Sequence, residues 1–193
     1  MPRSSPSHPN RKPFHGLNPE EGGQTVMSCE LSNPTRRGDH KMLPIAVKPG
    51  HNTCLMHIHA SCAGRDGHGV LLLGPPGSGK SDLLLRLLDH GFMLVADDQV
   101  EVGDGMAWPP PALAGLLEVR GLGIVRLPYA APVRLALAVS LSIGDRLPHP
   151  ERHAGTGLPL VRVDPAQPSA AARTGLALDC ALGLTTQVAG VFT

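Results

Sequence analysis

Apolar residues keep no period before about residue 55 and a strong one after it. Residues 1–55 are rich in Pro, Ser, Gly, Asn and basic side chains. Such a stretch buries too little apolar surface to offset its ordering entropy, so the sequence predicts a disordered leader. The alternative expectation is a mis-called start, with translation beginning at Met56. From there the pattern sharpens. Residues 57–62 alternate, Gly64-Arg65-Asp66-Gly67 reads as a turn, and Val70-Leu71-Leu72-Leu73 reads as a buried strand, so a hairpin is expected. Leu83, Leu84, Leu85, Leu87 and Leu88 then share one wide helical face, with Asp82 and Arg86 four apart on the polar side. A helix is predicted over 82–90, closed by Gly91. Residues 92–96 form another apolar strand ending in Asp97-Asp98, and 100–102 stay extended. Gly103-Asp104-Gly105 is a tight-turn signal that returns Met106-Ala107-Trp108 as a hairpin partner. Residues 113–117 are expected as a short helical turn, 133–141 and 159–163 as strands, and 169–182 as a closing helix. The pattern gives an α/β protein over residues 56–193, with a mixed, strand-rich sheet and few helices.

The junction between the strand at Val70 and the helix after it carries the chemistry. Gly74-Pro75-Pro76-Gly77-Ser78-Gly79-Lys80-Ser81 is a complete G-x-x-x-x-G-K-[ST] phosphate-binding loop. Glycines let the backbone curl until successive N–H groups point inward, beside the positive end of a helix. Lys80 supplies a cation for the β/γ-phosphates from a solvated loop, and Ser81 offers a hydroxyl to Mg²⁺. The expected domain is therefore a P-loop domain that binds a nucleoside triphosphate. Asp97-Asp98 ends a strand near that loop, where one carboxylate would serve as magnesium partner or general base. Adjacent side chains on a strand face opposite ways, so only one is expected to face the phosphates, and the pattern does not choose between them. In Glu118-Val119-Arg120-Gly121-Leu122-Gly123-Ile124 the two glycines allow close backbone approach, and the flanking Glu118 and Arg120 could hold a metal and a phosphoryl group, or form an ordinary surface ion pair. His59 has a same-face neighbour in His57, but no third ligand at a recognisable spacing, which argues against a metal there.

Composition narrows the setting. The chain has 193 residues and a formal net charge of +1, so bulk electrostatics point to neither nucleic acid nor an anionic membrane. Aromatics make up 3% of the chain, which leaves a core built on Leu, Val, Ile and Ala. No uninterrupted apolar run is long enough to span a bilayer; residues 135–143 are too short and flanked by Arg134 and Asp145. The polar N-terminus lacks the apolar core of a secretory signal. Cys29, Cys54, Cys62 and Cys180 form no C-x-x-C pair, so reduced thiols in a cytoplasmic protein are expected.

Taken in order, His59, the loop 74–81, Leu94-Val95-Ala96-Asp97-Asp98-Gln99-Val100-Glu101 and Leu117-Glu118-Val119-Arg120-Gly121-Leu122-Gly123-Ile124 resemble HPr kinase/phosphorylase. That bacterial enzyme phosphorylates a seryl hydroxyl of HPr, the small carrier of the sugar phosphotransferase system, and reverses the step by phosphorolysis. The resemblance covers roughly residues 56–180 and is to a short, catalytic-domain-only form. It implies ATP and Mg²⁺ as cofactors, an HPr-type carrier as partner, and a homo-oligomer, a hexamer in the family. It implies catalytic roles for His59, Lys80, Asp97 and Arg146, with Asp97 as the general acid/base. Gly74, Pro75, Pro76, Gly77, Ser78, Gly79, Lys80 and Ser81 would hold the nucleotide, and Ser81 and Glu118 the metal. The family's later basic, proline-containing segment is matched only loosely by Leu160-Val161-Arg162-Val163-Asp164-Pro165. Forward transfer is therefore expected to exceed phosphorolysis. The competing readings are a small-molecule kinase of the nucleoside monophosphate type and a nucleotide-binding regulatory module without turnover. A GTPase is disfavoured, because no N-K-x-D motif occurs.

Overall fold

A computed structural model describes residues 55–193. The leader expected over 1–55 lies almost wholly outside the described residues. Strands β1 (Met56–His59), β2 (Ser61–Arg65) and β3 (His68–Leu73) lead into helix α1 (Lys80–Asp89). Then come β4 (Met93–Ala96), β5 (Gln99–Gly103), β6 (Met106–Trp108), β7 (Leu116–Val119) and β8 (Gly123–Arg126). The long strand β9 (Val133–Leu141), β10 (Leu160–Val163) and helix α2 (Ala170–Ala181) complete the order.

The main sheet runs β1-β5-β6-β9-β3-β2-β4, with β10 also paired to β9. Strand β3 is parallel to β9, β9 is parallel to β10, and β2 is antiparallel to both β3 and β4. Hence β3, β4, β9 and β10 all run the same way. Their C-terminal ends gather along one end of the sheet, where ligands bind in sheets of this kind. The loops that leave those four ends carry residues 74–79, 97–98, 142–149 and 164–167.

Alternation along β3 divides the core. Val70 and Leu72 join Leu83, Leu84, Leu87 and Leu178 on the helix side, whereas Leu71 joins Cys62, Val95 and Val100 on the other. A fully buried leucine contributes about 1.5–3 kcal/mol. A ten-residue helix is marginal by propensity alone, so Leu83, Leu84 and Leu87 hold α1 in place. Leu85, expected on the buried face, is instead 38% exposed and faces the cleft described below.

Three further expectations are corrected. Helix α1 begins at Lys80, because the Leu83 amide donates to the Gly79 carbonyl at 2.9 Å and closes the first turn there. The alternating stretch 57–62 is two strands broken at Ala60, with β1 paired to β5 and β2 to β3. The helical turn expected over 113–117 is a 3-10 turn at Pro111–Leu113 followed by β7. Gly115 explains that shift. It adopts φ 74°, and a Cβ there would lie 2.8 Å from the Leu127 carbonyl oxygen, so the chain reverses where helix would have continued. Strands β7 and β8 then form a separate hairpin, whose Leu117 is buried against the helix-side core.

Candidate active site

The loop after β3 is shaped by its small residues. Gly77 and Gly79 adopt φ 77° and 91°, left-handed values that side chains other than Gly rarely take. At Gly74 a Cβ would lie 2.5 Å from Ser78 Oγ, so the loop folds over itself only with glycine there. Ser78 Oγ is buried without a hydrogen-bond partner. Around this loop lies a cleft of about 710 Å³, lined by the loop, His59, Asp98, Glu118, Arg120 and the Pro165-Ala166 turn, among others. Its size falls within the range of ligand pockets.

Lys80 is not a solvated loop residue. It is the first residue of α1, 7% exposed, and its Nζ donates to the Gly74 and Pro75 carbonyls at 3.0 and 3.2 Å. His59 Nε2 lies 3.3 Å from the same Nζ. Ser81 donates its hydroxyl to Asp97, at 2.9 Å from Oδ1 and 3.1 Å from Oδ2. Asp97 also accepts from Ser61 Oγ at 2.6 Å and from the Glu118 amide at 3.3 Å. The hairpin β7–β8 thus brings Glu118 to the cleft by docking its backbone on Asp97.

The two acids are distinguished by a turn rather than by strand alternation. Strand β4 stops at Ala96, and the Gln99 amide donates to the Asp97 carbonyl at 2.8 Å across Asp98. Asp98 takes φ 66°, sparsely populated for a non-glycine residue though tolerated by Asp. Asp97 is turned inward behind Ser81, whereas Asp98 faces the cleft and pairs with His59 Nδ1 at 3.1 Å.

His59, Lys80, Ser81, Asp97 and Glu118 therefore meet at one end of the sheet. Arg146 does not join them: it is exposed in the loop after β9 and is not among the residues lining the cleft. That loop does leave the same end of the sheet as the glycine-rich loop. Two neighbours escaped the sequence reading. Ser61 carried only the signal of a lone hydroxyl in an apolar strand. The wall formed by Pro165 and Ala166 was hidden because it depends on β10 lying parallel to β9. Pro165 packs over Gly79, and Arg86 donates to the Pro165 carbonyl at 2.7 Å.

Residues 51–130 match the family model for the HPr Serine kinase C-terminal domain. Over part of its length the chain is similar to the HPr kinase/phosphorylases. It is 42% identical over 135 residues to HPr kinase/phosphorylase from Streptococcus thermophilus, covering 64% of this chain and 41% of that protein. Over 64 residues it is 50% identical to the Bordetella petrii HPr kinase/phosphorylase, covering 31% of this chain and 21% of that one. The chain thus spans less than half the length of these curated relatives. Among solved structures, the HPr(Ser) kinase/phosphatase from Coxiella burnetii matches with a TM-score of 0.56 at 23% identity. That match covers 67% of this chain and 92% of the other, and it fixes the fold as the HPr kinase fold: mixed α/β, strand-rich, with few helices. No helix among the described residues is long and apolar enough to cross a membrane.

Proposed function

We propose that residues 56–193 form the catalytic domain of an ATP- and Mg²⁺-dependent protein serine kinase acting on an HPr-type phosphocarrier. The observation that carries this reading is that His59, Lys80, Ser81 and Glu118 line one cleft at the C-terminal ends of parallel strands, with Asp97 directly behind Ser81. Kinship with HPr kinase/phosphorylases supplies the acceptor class. A cytoplasmic homo-oligomer, a hexamer in the family, belongs to the same proposal.

The residues present fit nucleotide and magnesium. Loop 74–79 offers glycine-freed backbone and the unpartnered Ser78 hydroxyl to phosphate oxygens. Ser81 and Glu118 would hold magnesium, which when bound supplies charge neutralisation at the β/γ-phosphates. Among the described residues no group of three or more His, Cys, Asp and Glu could hold a metal. Magnesium uses one or two protein ligands and completes its shell with phosphates and water.

Phosphoryl transfer depends on positioning and electrostatic stabilisation. Lys80, drawn from the Gly74 and Pro75 carbonyls to the nucleotide, provides the mobile cation. Asp97 is assigned as general base. One of its oxygens, released by Ser81, accepts the proton of the incoming serine, and the protonated acid returns it in phosphorolysis. Catalytic hydrogen bonds often tighten only in the substrate complex, so the present Ser81 contact does not disqualify Asp97. Arg146 is assigned to the transferring phosphoryl group, reached from the loop after β9. Phosphorolysis needs cations for inorganic phosphate, and the 158–169 stretch supplies only Arg162, itself paired with Glu151. It is therefore the weaker direction.

Labelled ATP with Mg²⁺ and either HPr or a nucleoside monophosphate tests the reading. Label on a seryl residue of HPr supports it. Label on the monophosphate establishes a small-molecule kinase instead, and no transfer to either acceptor establishes a regulatory module.

A further inference from the structure

Asp97 receives donors from three separate elements, and one of them stands apart from the other two. Ser81 comes from α1 and the Glu118 amide from β7, and both residues are assigned above to magnesium. Ser61 comes from β2, inside the main sheet, and its hydroxyl makes the shortest of the contacts, 2.6 Å to Oδ1. It is completely buried and does not line the cleft. A hydroxyl is not what the strand itself asks for at that position, because Ala60, Cys62 and Ala63 around it are buried and apolar. Taking a hydroxyl out of water costs free energy unless a partner receives it. The main chain brings that partner. The Ala60 amide donates to the Asp98 carbonyl at 3.2 Å, and Cys62 pairs with Ala96 across β2 and β4. Between those two contacts, Ser61 and Asp97 stand opposite each other.

We propose that Ser61 is a positioning residue of this site. By holding Asp97 Oδ1 from within the sheet, it sets the orientation of the carboxylate on which Ser81 and the Glu118 backbone are both seated. The side chain of Asp turns about two bonds, and a donor from the sheet side stops that rotation. Helix α1 and the β7–β8 hairpin have no strand pairing with each other, and the Asp97 carboxylate is the polar group that receives donors from both. A carboxylate fixed by Ser61 therefore keeps Ser81 and Glu118 at one spacing. Because Ser61 lies outside the cleft, its contact is not displaced by what the cleft binds. The consequence for magnesium rests on the kinase reading above; the orientation of Asp97 does not.

Two measurements on the full chain test the proposal with Ser61→Ala, which removes the hydroxyl and little else. The first is hydrogen exchange of the Glu118 amide, followed by NMR without nucleotide. That amide donates to Asp97 at 3.3 Å, and it should lose protection in Ser61→Ala. The second is calorimetry of ATP binding, once with Mg²⁺ and once with EDTA. Ser61→Ala should weaken binding of ATP with Mg²⁺ about tenfold, the lower end of the cost of losing an outer partner of metal ligands. Binding in EDTA should be unchanged, since Lys80 and the 74–79 loop are untouched. Ser61→Thr keeps the hydroxyl on a β-branched side chain suited to a strand, and it should restore both readouts. Unchanged protection at Glu118 in Ser61→Ala overturns the positioning role, as does a Ser61→Thr protein that behaves like Ser61→Ala. Protection lost with equal ATP affinities, or affinity lost equally with Mg²⁺ and with EDTA, overturns the link to the metal. If ATP binding by the wild-type chain does not depend on Mg²⁺, the proposed function fails while amide exchange still decides the role of Ser61.

Discussion

Asp97 receives two hydroxyls and one amide in a nearly water-free position, so its loss acts on fold and chemistry together. Asp97→Asn keeps the shape but puts an NH₂ where one carboxylate oxygen accepted. Transfer should fall by about 10²–10⁴, the usual cost of losing a general base. Stability should fall by about 1–3 kcal/mol, because a buried polar contact is left mismatched. Steady-state kinetics and thermal unfolding check both, and a near wild-type rate would remove Asp97 from the mechanism. Lys80→Met should abolish measurable ATP affinity by calorimetry, while the loop loses the two carbonyl contacts that Lys80 makes. Retained affinity would contradict the phosphate-loop assignment. At this scale the sequence was legible where a motif dictates backbone shape, as in the Gly74–Ser81 loop. It could not rank Asp97 against Asp98, because alternation applies to strands and both acids lie in a turn that tertiary pairing creates.

Between elements, two arginines connect what the sheet leaves apart. Arg86 donates to Asp82 Oδ2 at 2.8 Å and reaches the Pro165 and Gln167 carbonyls at 2.7 and 3.3 Å. It thereby ties α1 to the turn that walls the cleft. Arg86→Ala should speed amide exchange over residues 164–167 and raise KM for ATP more than it lowers kcat. Unchanged exchange there would show that Pro165 packing suffices. Arg65 pairs with Asp179 and lies over the Phe92 ring at 4.9 Å, joining β2 to α2. Arg65→Ala should cost about 1–2 kcal/mol by chemical unfolding, combining a partly shielded ion pair with a cation–π contact. Most strands and both helices were readable from periodicity, since each buries one face. The 113–117 region was not, because Gly115 reverses the chain to meet Leu127, a contact no local pattern records.

Over the whole described region, two apolar layers enclose the sheet, and Cys62 lies entirely within one of them. Burial pushes its thiol pKa upward, so little nucleophilic thiolate forms. Iodoacetamide should modify the half-buried Cys180 in native protein and reach Cys62 only on unfolding, as peptide mass spectrometry will show. The parallel alignment of β3, β4, β9 and β10 was beyond the sequence pattern, and it is what collects four loops at one end. The central claim is that this collection of loops is a protein serine kinase site with Asp97 as its base. The decisive measurement is the intact mass and phosphosite of HPr after incubation with ATP, Mg²⁺ and either wild-type protein or Asp97→Asn. The account predicts one phosphate on a seryl residue with wild-type protein and loss of that product with Asp97→Asn at matched nucleotide occupancy. Unmodified HPr with wild-type protein, or equal phosphorylation by both proteins, would contradict it.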